Sequence, residues 1–317
     1  MKDIEYVKIF KKALLMTWHN KSMWFFGALI FLGSLITRIN PNIKLLTKNA
    51  NFLQQKVDSI QISNAAASFI LITLIVIIIF VYCLKLVGTA SIIKISNNLA
   101  VYGQMKIRTI FAEAINYIWR LFLVDLVIGV SFASIVISLF IPIAYLYVIN
   151  SQLIAGMFFA FEMLLLLPLF ILVFYIRRYA QIYTVLGEMK LGLSLESAYD
   201  LFRKNLKESL IMGIMIICSY FSIIFFSFIV ALAVAVIIVP IGLILYIVLA
   251  GSAVSVSLVI GVILLIAVIS ALIFWFEAFI QTLWVLFFQQ IALDKKKDKE
   301  EDEKLDIKGG LPSPEAV

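Results

Sequence analysis

Long uninterrupted runs of hydrophobic residues dominate the chain, and most charged residues collect between them. In hydrocarbon each backbone N–H and C=O must be satisfied within its own segment, so a run of about 20 apolar residues is expected to form a spanning helix. The pattern predicts an all-α polytopic transmembrane helix bundle with six spans. The predicted spans are residues 23–37, 66–86, 121–148, 153–175, 210–239 and 254–286.

The placement of Lys and Arg predicts the orientation of these spans. Most of them lie in the N-terminal segment, the second and fourth connections and the tail, whereas the other side carries only Arg38, Lys44, Lys48 and Lys56. Cytoplasmic loops carry an excess of Lys and Arg. We therefore expect a multi-pass protein of the inner membrane with both termini cytoplasmic. No small-residue cleavage motif follows the first run, so we expect it to remain as a span.

The long apolar stretch from Leu210 to Leu286 could hold two or three spans. A third span would place the Lys-rich tail outside, so two spans are favoured. They would be joined by an irregular outer connection around residues 240–252, which is apolar enough to dip into the outer leaflet. Residues 1–292 would then form the transmembrane domain. Residues 293–317 mix Lys with Asp and Glu and are expected to be a disordered cytoplasmic tail.

Three stretches with helical periodicity precede the first, third and fifth spans. The first sets Lys8, Lys11 and Lys12 opposite an apolar face, and similar patterns recur at residues 107–118 and 195–202. Each is expected to be an amphipathic helix lying flat on the cytoplasmic leaflet. The order interfacial helix, span, span thus suggests a threefold pseudo-repeat, although amphipathic elbows could produce it by chance. The expected contacts with anionic headgroups are Lys8, Lys11, Lys12, Arg108, Arg177, Arg178, Arg203 and Lys204.

Composition agrees with a membrane protein and excludes several function classes. Hydrophobic residues make up 63% of the chain and charged residues 14%, whereas soluble domains average about 45–50% and about 25%. The net charge of +7 comes from Lys and Arg beside the spans, whose expected partners are membrane lipids and not nucleic acid. With two cysteines and one histidine, we expect no metal site and no cofactor.

Ionisable residues inside predicted spans are the candidates for a functional site, because burying them in a membrane is costly. Asp125, Glu162 and Glu277 are such residues, and Gln281 lies one turn after Glu277. Glu162 is expected near the midplane, shortly before Pro168. There it could serve a proton-coupled or cation-handling step, or simply donate a hydrogen bond to a neighbouring helix as a neutral carboxyl.

Asp125 and Glu277 are expected nearer the cytoplasmic face. The structural interpretation is ion pairing, or snorkelling of the side chains to the interface, because several arginines lie within reach of both acids: Arg120, Arg177 and Arg178. A lipid-directed intramembrane enzyme would need two convergent polar groups, which Asp125 and Glu277 could supply only if they met in one pocket.

One segment resembles a known family. Residues 13–27, ALLMTWHNKSMWFFG, and less specifically residues 198–205, AYDLFRKN, are similar to the membrane domain joined in some bacteria to glycerophosphoryl diester phosphodiesterase. The resemblance implies a six-helix membrane domain in an uncharacterised bacterial group. It carries no activity over, because the phosphodiesterase chemistry belongs to a separate soluble domain whose metal-binding residues have no counterpart here.

These observations favour an integral membrane protein that is not an enzyme. Walker-type, nucleophile-elbow and His-Glu-x-x-His motifs are absent from the sequence. The first hypothesis is a membrane scaffold or lipid-interacting component, with a membrane-protein partner still to be identified. The alternative is a transporter or permease for a small or amphiphilic solute that uses Glu162.

Overall fold

The structure is a computed structural model that describes residues 5–38, 64–101, 103, 107–149, 151–249 and 252–309. The residues so described form nine α-helices and contain no strand. In chain order the helices are α1 Tyr6–His19, α2 Ser22–Arg38, α3 Asn64–Val101, α4 Ile107–Ile115, α5 Ile118–Val148, α6 Gln152–Leu186, α7 Leu191–Lys204, α8 Leu206–Leu249 and α9 Ser252–Gly309.

Five of these helices, α3, α5, α6, α8 and α9, are long and apolar enough to cross a membrane. Helix α2 is apolar but has only 17 residues, so it is about 25 Å long against a hydrocarbon core of about 30 Å. The chain is therefore an all-helical, multi-pass membrane protein. The first of the six predicted spans, residues 23–37, corresponds to this shorter helix.

The short helices α1, α4 and α7 pack at one end of the bundle, which we call the lysine-rich end. Here α3 continues from the predicted span end at residue 86 to Val101, and α6 continues from residue 175 to Leu186. These extensions are helical because they pack in the protein core, where Ile92 of α3 and Tyr179 of α6 are fully buried. The predicted spans end where the uninterrupted apolar runs end, near Lys85 and Arg177, so they miss these extensions.

The expected irregular connection around residues 240–252 is wrong. Helix α8 continues through Pro240 to Leu249, and α9 begins at Ser252. In lipid an unwound backbone would leave many polar groups unsatisfied, whereas a proline within a helix removes only one backbone donor. The apolar segment therefore satisfies most of its backbone hydrogen bonds by staying helical.

The predicted boundary at residue 292 also differs from the structure. Helix α9 continues to Gly309, so residues 293–309 are helical where a disordered tail was expected. Lys alternates with Glu and Asp at three- and four-residue spacing in this segment, a pattern that supports helices. Residues 310–317 lie outside the described residues.

The two ends of the bundle differ in packing. The largest fully buried side chains lie at the lysine-rich end: Trp284, Tyr179, Phe26, Phe279 and Phe287. At the opposite end the helices expose most of their apolar surface, and residues 68–80 of α3 are exposed throughout. A spanning helix can expose such surface because lipid tails are as apolar as its side chains.

Helix α1 runs antiparallel alongside α9. The ring of Tyr6 lies 6.3 Å from that of Phe287, and the ring of Trp18 lies 5.7 Å from that of Trp275. These contacts are separated by 12 residues on both helices, or about 18 Å. The prediction that α1 lies flat on the leaflet is therefore wrong, because this helix follows a membrane-spanning one.

The faces of α1 also differ from the prediction. The stripe packed against the protein consists of Ile9, Ala13 and Thr17, whose small members allow close approach to α9. Lys11 precedes Leu14, Leu15 and Trp18 by three, four and seven residues, so it lies on their side of the helix. Lys11 was predicted to lie opposite the apolar face, and this assignment is wrong.

Helix α2 packs closely between α3 and α9 through glycines. A Cβ at Gly27 would overlap the main-chain carbonyl of Phe274 in α9, and one at Gly33 would overlap the Cβ of Lys85 in α3. Gly88 of α3 approaches the main-chain oxygen of Phe26 in the same way. Small residues at such positions let helix backbones approach in a membrane, so α2 is an integral part of the bundle.

Candidate functional site

Asp125 of α5 lies at the centre of a buried polar network. Arg177 of α6 donates from Nε to Oδ1 at 2.8 Å and from Nη2 to Oδ2 at 2.6 Å. The hydroxyl of Tyr82 in α3 donates to Oδ2 at 2.8 Å, and Nε2 of Gln181 in α6 donates to Oδ1 at 2.8 Å. The predicted ion pair of Asp125 with an arginine is therefore confirmed, with Arg177 as its partner.

This network joins three spanning helices and engages both carboxylate oxygens. Four donated hydrogen bonds take up most of the accepting capacity of a carboxylate. Arg177 was predicted to contact lipid headgroups, but its guanidinium is bound to Asp125 in a bidentate pair. The geometry is that of a structural clamp across α3, α5 and α6.

Glu277 and Gln281 are buried on α9. Lys85 and Arg178 each interact with the charges of both acids. Arg178, also predicted to be a headgroup contact, lies 5.8 Å from the ring of Phe174. The two acids thus share cations, but neither lines either of the two cavities described below.

Glu162 lies apart from this cluster. It is buried on α6 fifteen residues before Arg177, about 22 Å along the helix. Its Oε2 has no hydrogen-bond partner among the residues that the structure describes. Glu162 also lines neither of the two cavities described below. The three acids therefore do not converge on one site.

A cavity of about 920 Å³, which we call the polar cavity, lies at the lysine-rich end between α1, α3, α6 and α9. Its polar lining includes Lys8 and Lys12 of α1, and Lys8 pairs with Glu5 at 2.6 Å. The amides of Asn97 and Gln289 bond to each other at the α3–α9 side. The remaining lining is mostly apolar, with Ile9, Ala100, Val101, Leu186, Leu286, Phe288 and Ala292.

A second cavity of about 680 Å³, which we call the apolar cavity, lies between α1, α8 and α9. Aromatic side chains from all three helices form much of its lining: Phe10, Trp18, Phe225, Phe226, Trp275, Phe276 and Phe279. The two cavities are on opposite sides of α1. Neither was predicted from the sequence, because the rotation of α1 about its axis decides which residues line each one.

A further polar cluster connects α3, α4 and the two turns beside α5 and α7. Lys94 donates to Glu113 at 2.6 Å and lies 4.6 Å from the ring centre of Tyr117. The Tyr117 hydroxyl donates to Glu188 at 2.6 Å, and Glu188 has a positive φ of 51°. Burial raises the pKa of Tyr117, and the hydrogen bond to Glu188 raises it further against the opposing charge of Lys94.

The remaining predicted headgroup contacts are exposed. They are Lys8, Lys11 and Lys12 on α1, Arg108 on α4, and Arg203 and Lys204 on α7. Among the described residues no group of three His, Cys, Asp or Glu side chains could hold a metal ion.

No protein-family model, curated protein or solved structure matches this chain. The class supported by its own fold is a multi-pass helical membrane protein. The resemblance of residues 13–27 to the membrane domain associated with glycerophosphoryl diester phosphodiesterase stays a prediction.

Proposed function

We propose that this chain is a non-catalytic membrane protein that interacts with anionic lipid and acts as a scaffold at the lysine-rich end. The observation that carries the proposal is the polar cavity, whose lining combines the exposed Lys8 and Lys12 with mostly apolar residues. A cavity that combines cations with apolar surface suits a phosphate headgroup and the first part of its chains. With Glu5 included, the ionisable lining carries a net positive charge.

The internal arrangement of the polar residues supports a scaffold over an enzyme. The Asp125 carboxylate is engaged by four donated hydrogen bonds, so it has little capacity left for a substrate. Polar side-chain pairs at this end connect α3, α4, α5 and α6, which supports the lysine-rich end as a defined surface. A membrane-protein partner of this surface remains part of the proposal.

The proposed topology has six spans, with α2 as the first, in the inner membrane and with both termini cytoplasmic. Close packing of α2 between α3 and α9 supports counting this short helix as a span. Each of α1, α4 and α7 precedes two longer helices along the chain. That order supports the interpretation of a threefold pseudo-repeat led by amphipathic helices.

The test is a lipid-binding titration of the purified full chain in detergent with phosphatidylglycerol. Removing both cations in Lys8→Gln/Lys12→Gln should weaken binding by about 2 kcal/mol, or roughly 30-fold, at about 1 kcal/mol per cation. Lys190→Gln is the matched control, because Lys190 is an exposed lysine outside the cavity lining. An equal affinity for the double variant and the control would refute the proposal.

The second candidate is transport of a small or amphiphilic solute with Glu162 as the working group. The observation favouring it is the buried Oε2, which lacks a partner among the described residues. Glu162→Gln should then abolish solute flux in proteoliposomes while the free energy of unfolding stays within about 1 kcal/mol of the parent value. Unchanged flux in this variant would refute the candidate.

A further inference from the structure

The apolar cavity lies within the membrane-spanning part of the bundle. Two of its walls are residues 219–229 of α8 and residues 272–279 of α9, which belong to candidate spans. Leu15, Phe225 and Phe226 of its lining are exposed, so the cavity opens on the surface of the bundle. The α8 wall is about 15 Å long, which is half of a hydrocarbon core of about 30 Å. The cavity therefore opens on the surface of the bundle at the depth of the candidate spans.

The lining of the apolar cavity is suited to a hydrocarbon ligand. Among the described residues that line it, the hydroxyls are those of Ser219 and Ser222, which donate to the carbonyls of Met215 and Cys218 one turn earlier. The other lining residues are apolar or aromatic. At about 680 Å³ the cavity has the size of typical small-molecule sites. It thus offers space and apolar surface but little polar recognition.

The direction of α1 gives the cavity a polar end. Tyr6 contacts α9 at Phe287, nearer the lysine-rich end, and Trp18 contacts it at Trp275. Lys11 is exposed and stands one turn before Leu14 and Leu15 on the cavity side of α1. A cation therefore lies on the cavity side of α1, outside the lining and towards the lysine-rich end, and the apolar lining extends away from it. A phospholipid whose headgroup lies at the lysine-rich end has the same order of charge and hydrocarbon.

We propose that the apolar cavity binds one acyl chain of an anionic phospholipid, with the lipid phosphate at Lys11 and the chain extending towards Trp18 and Trp275. The occupant comes from the membrane leaflet at the lysine-rich end. This inference deepens the lipid interaction proposed above, but it concerns the other side of α1. It can therefore fail while binding in the polar cavity holds, and the reverse is also true.

Trp18 and Trp275 line the cavity and serve as reporters of its occupancy. The full chain, depleted of lipid in detergent, is titrated with phosphatidylglycerol that carries brominated acyl chains, which quench tryptophan fluorescence on contact. Saturable quenching is expected. Ser222→Phe fills the cavity and should weaken this saturable binding at least tenfold. Ser134→Phe is the matched control, because Ser134 is exposed on α5 and also donates to the carbonyl one turn earlier.

Substitution of two neighbouring lysines tests whether the lipid headgroup binds at Lys11. Lys11→Gln should weaken the saturable quenching about fivefold, whereas Lys12→Gln, which lies on the polar cavity, should leave it unchanged. Quenching that never saturates in the parent protein would overturn the proposal. So would equal affinities for Ser222→Phe and Ser134→Phe, or for the two lysine variants. If the protein forms a dimer in which the brominated lipid no longer quenches, the cavity is a contact with a second copy of the chain. That result would also overturn the proposal.

Discussion

Removing the carboxylate of Asp125 is expected to destabilise the bundle by about 3 kcal/mol. Asp125→Ala leaves the Tyr82 hydroxyl and the buried Gln181 amide without their acceptor. Each loss costs about 1 kcal/mol, since hydrogen bonds between membrane helices contribute about 0.6 to 1.7 kcal/mol. The bidentate pair with Arg177 adds about 1 kcal/mol and not the full cost of a buried pair, because the Arg177 side chain is 39% exposed and can be hydrated again.

The assay is equilibrium unfolding of the purified protein in mixed micelles with increasing SDS. A loss of about 3 kcal/mol corresponds to roughly a 150-fold change in the unfolding equilibrium. Glu196→Ala is the control, because it removes an exposed acid on α7 and should change the free energy by less than about 0.5 kcal/mol.

A double-mutant cycle distinguishes a specific interaction between Asp125 and Arg177 from a nonspecific loss of stability. If Asp125 and Arg177 act as a pair, Asp125→Ala and Arg177→Met together should cost about 1 kcal/mol less than the sum of the single variants. Strict additivity, or a cost below about 1 kcal/mol for Asp125→Ala alone, would refute the interpretation of this network as a clamp.

Three other predictions address packing, pH dependence and topology. Gly27→Ala should lose about 1–3 kcal/mol in unfolding through overlap with the α9 main chain, whereas Gly129→Ala, with nothing within 4 Å of its new Cβ, should change it by less than about 1 kcal/mol. The folded-state pKa of Tyr117 lies above its ordinary value of 10.0, so its stabilising contribution is complete below pH 10.0 and is lost as pH rises through the folded-state pKa. Tyr117→Phe should therefore show a smaller fall in thermal midpoint between about pH 9 and about pH 11, and an equal fall would contradict this role. Lys190→Cys should react with a membrane-impermeant maleimide only from the cytoplasmic side, and labelling in intact cells would reverse the proposed orientation.

Sequence patterns predicted the class of fold and most helix starts, because the cost of unsatisfied backbone groups in hydrocarbon leaves helices as the main choice. They also predicted that Asp125 would pair with an arginine, since few cations lie near that depth. Tyr82 and Gln181 were missed as its other partners. The choice of partners depends on how α3 and α6 are rotated about their axes, and uniformly apolar helices carry no periodicity that reveals this rotation.

The errors on α1 have a related cause. Its larger apolar residues were expected to form one face of a helix lying on the leaflet, but the face packed on the protein includes the fully buried Ala13, while Val7 is 79% exposed. In a membrane the side facing lipid can be as apolar as the core, and helix contacts favour small residues. The stripe of Ile9, Ala13 and Thr17 was therefore the informative signal. Once that stripe is placed on α9, helical geometry brings Lys11 to the side of the apolar cavity.

The two ends of the bundle differ in how many polar contacts link their helices, and this difference indicates where a functional site is expected. At the lysine-rich end, ion pairs and hydrogen bonds link the helices, and both described cavities border α1 there. At the other end, segments such as residues 68–80 of α3 are exposed throughout and carry few polar side chains that could define a site. Glu162 lies on α6 about 22 Å from the Asp125 clamp, so changing it should affect α6 and its neighbours while leaving the clamp and both cavities intact. The proposed lipid binding and the proposed role of Glu162 therefore depend on separate parts of the structure and can be tested independently.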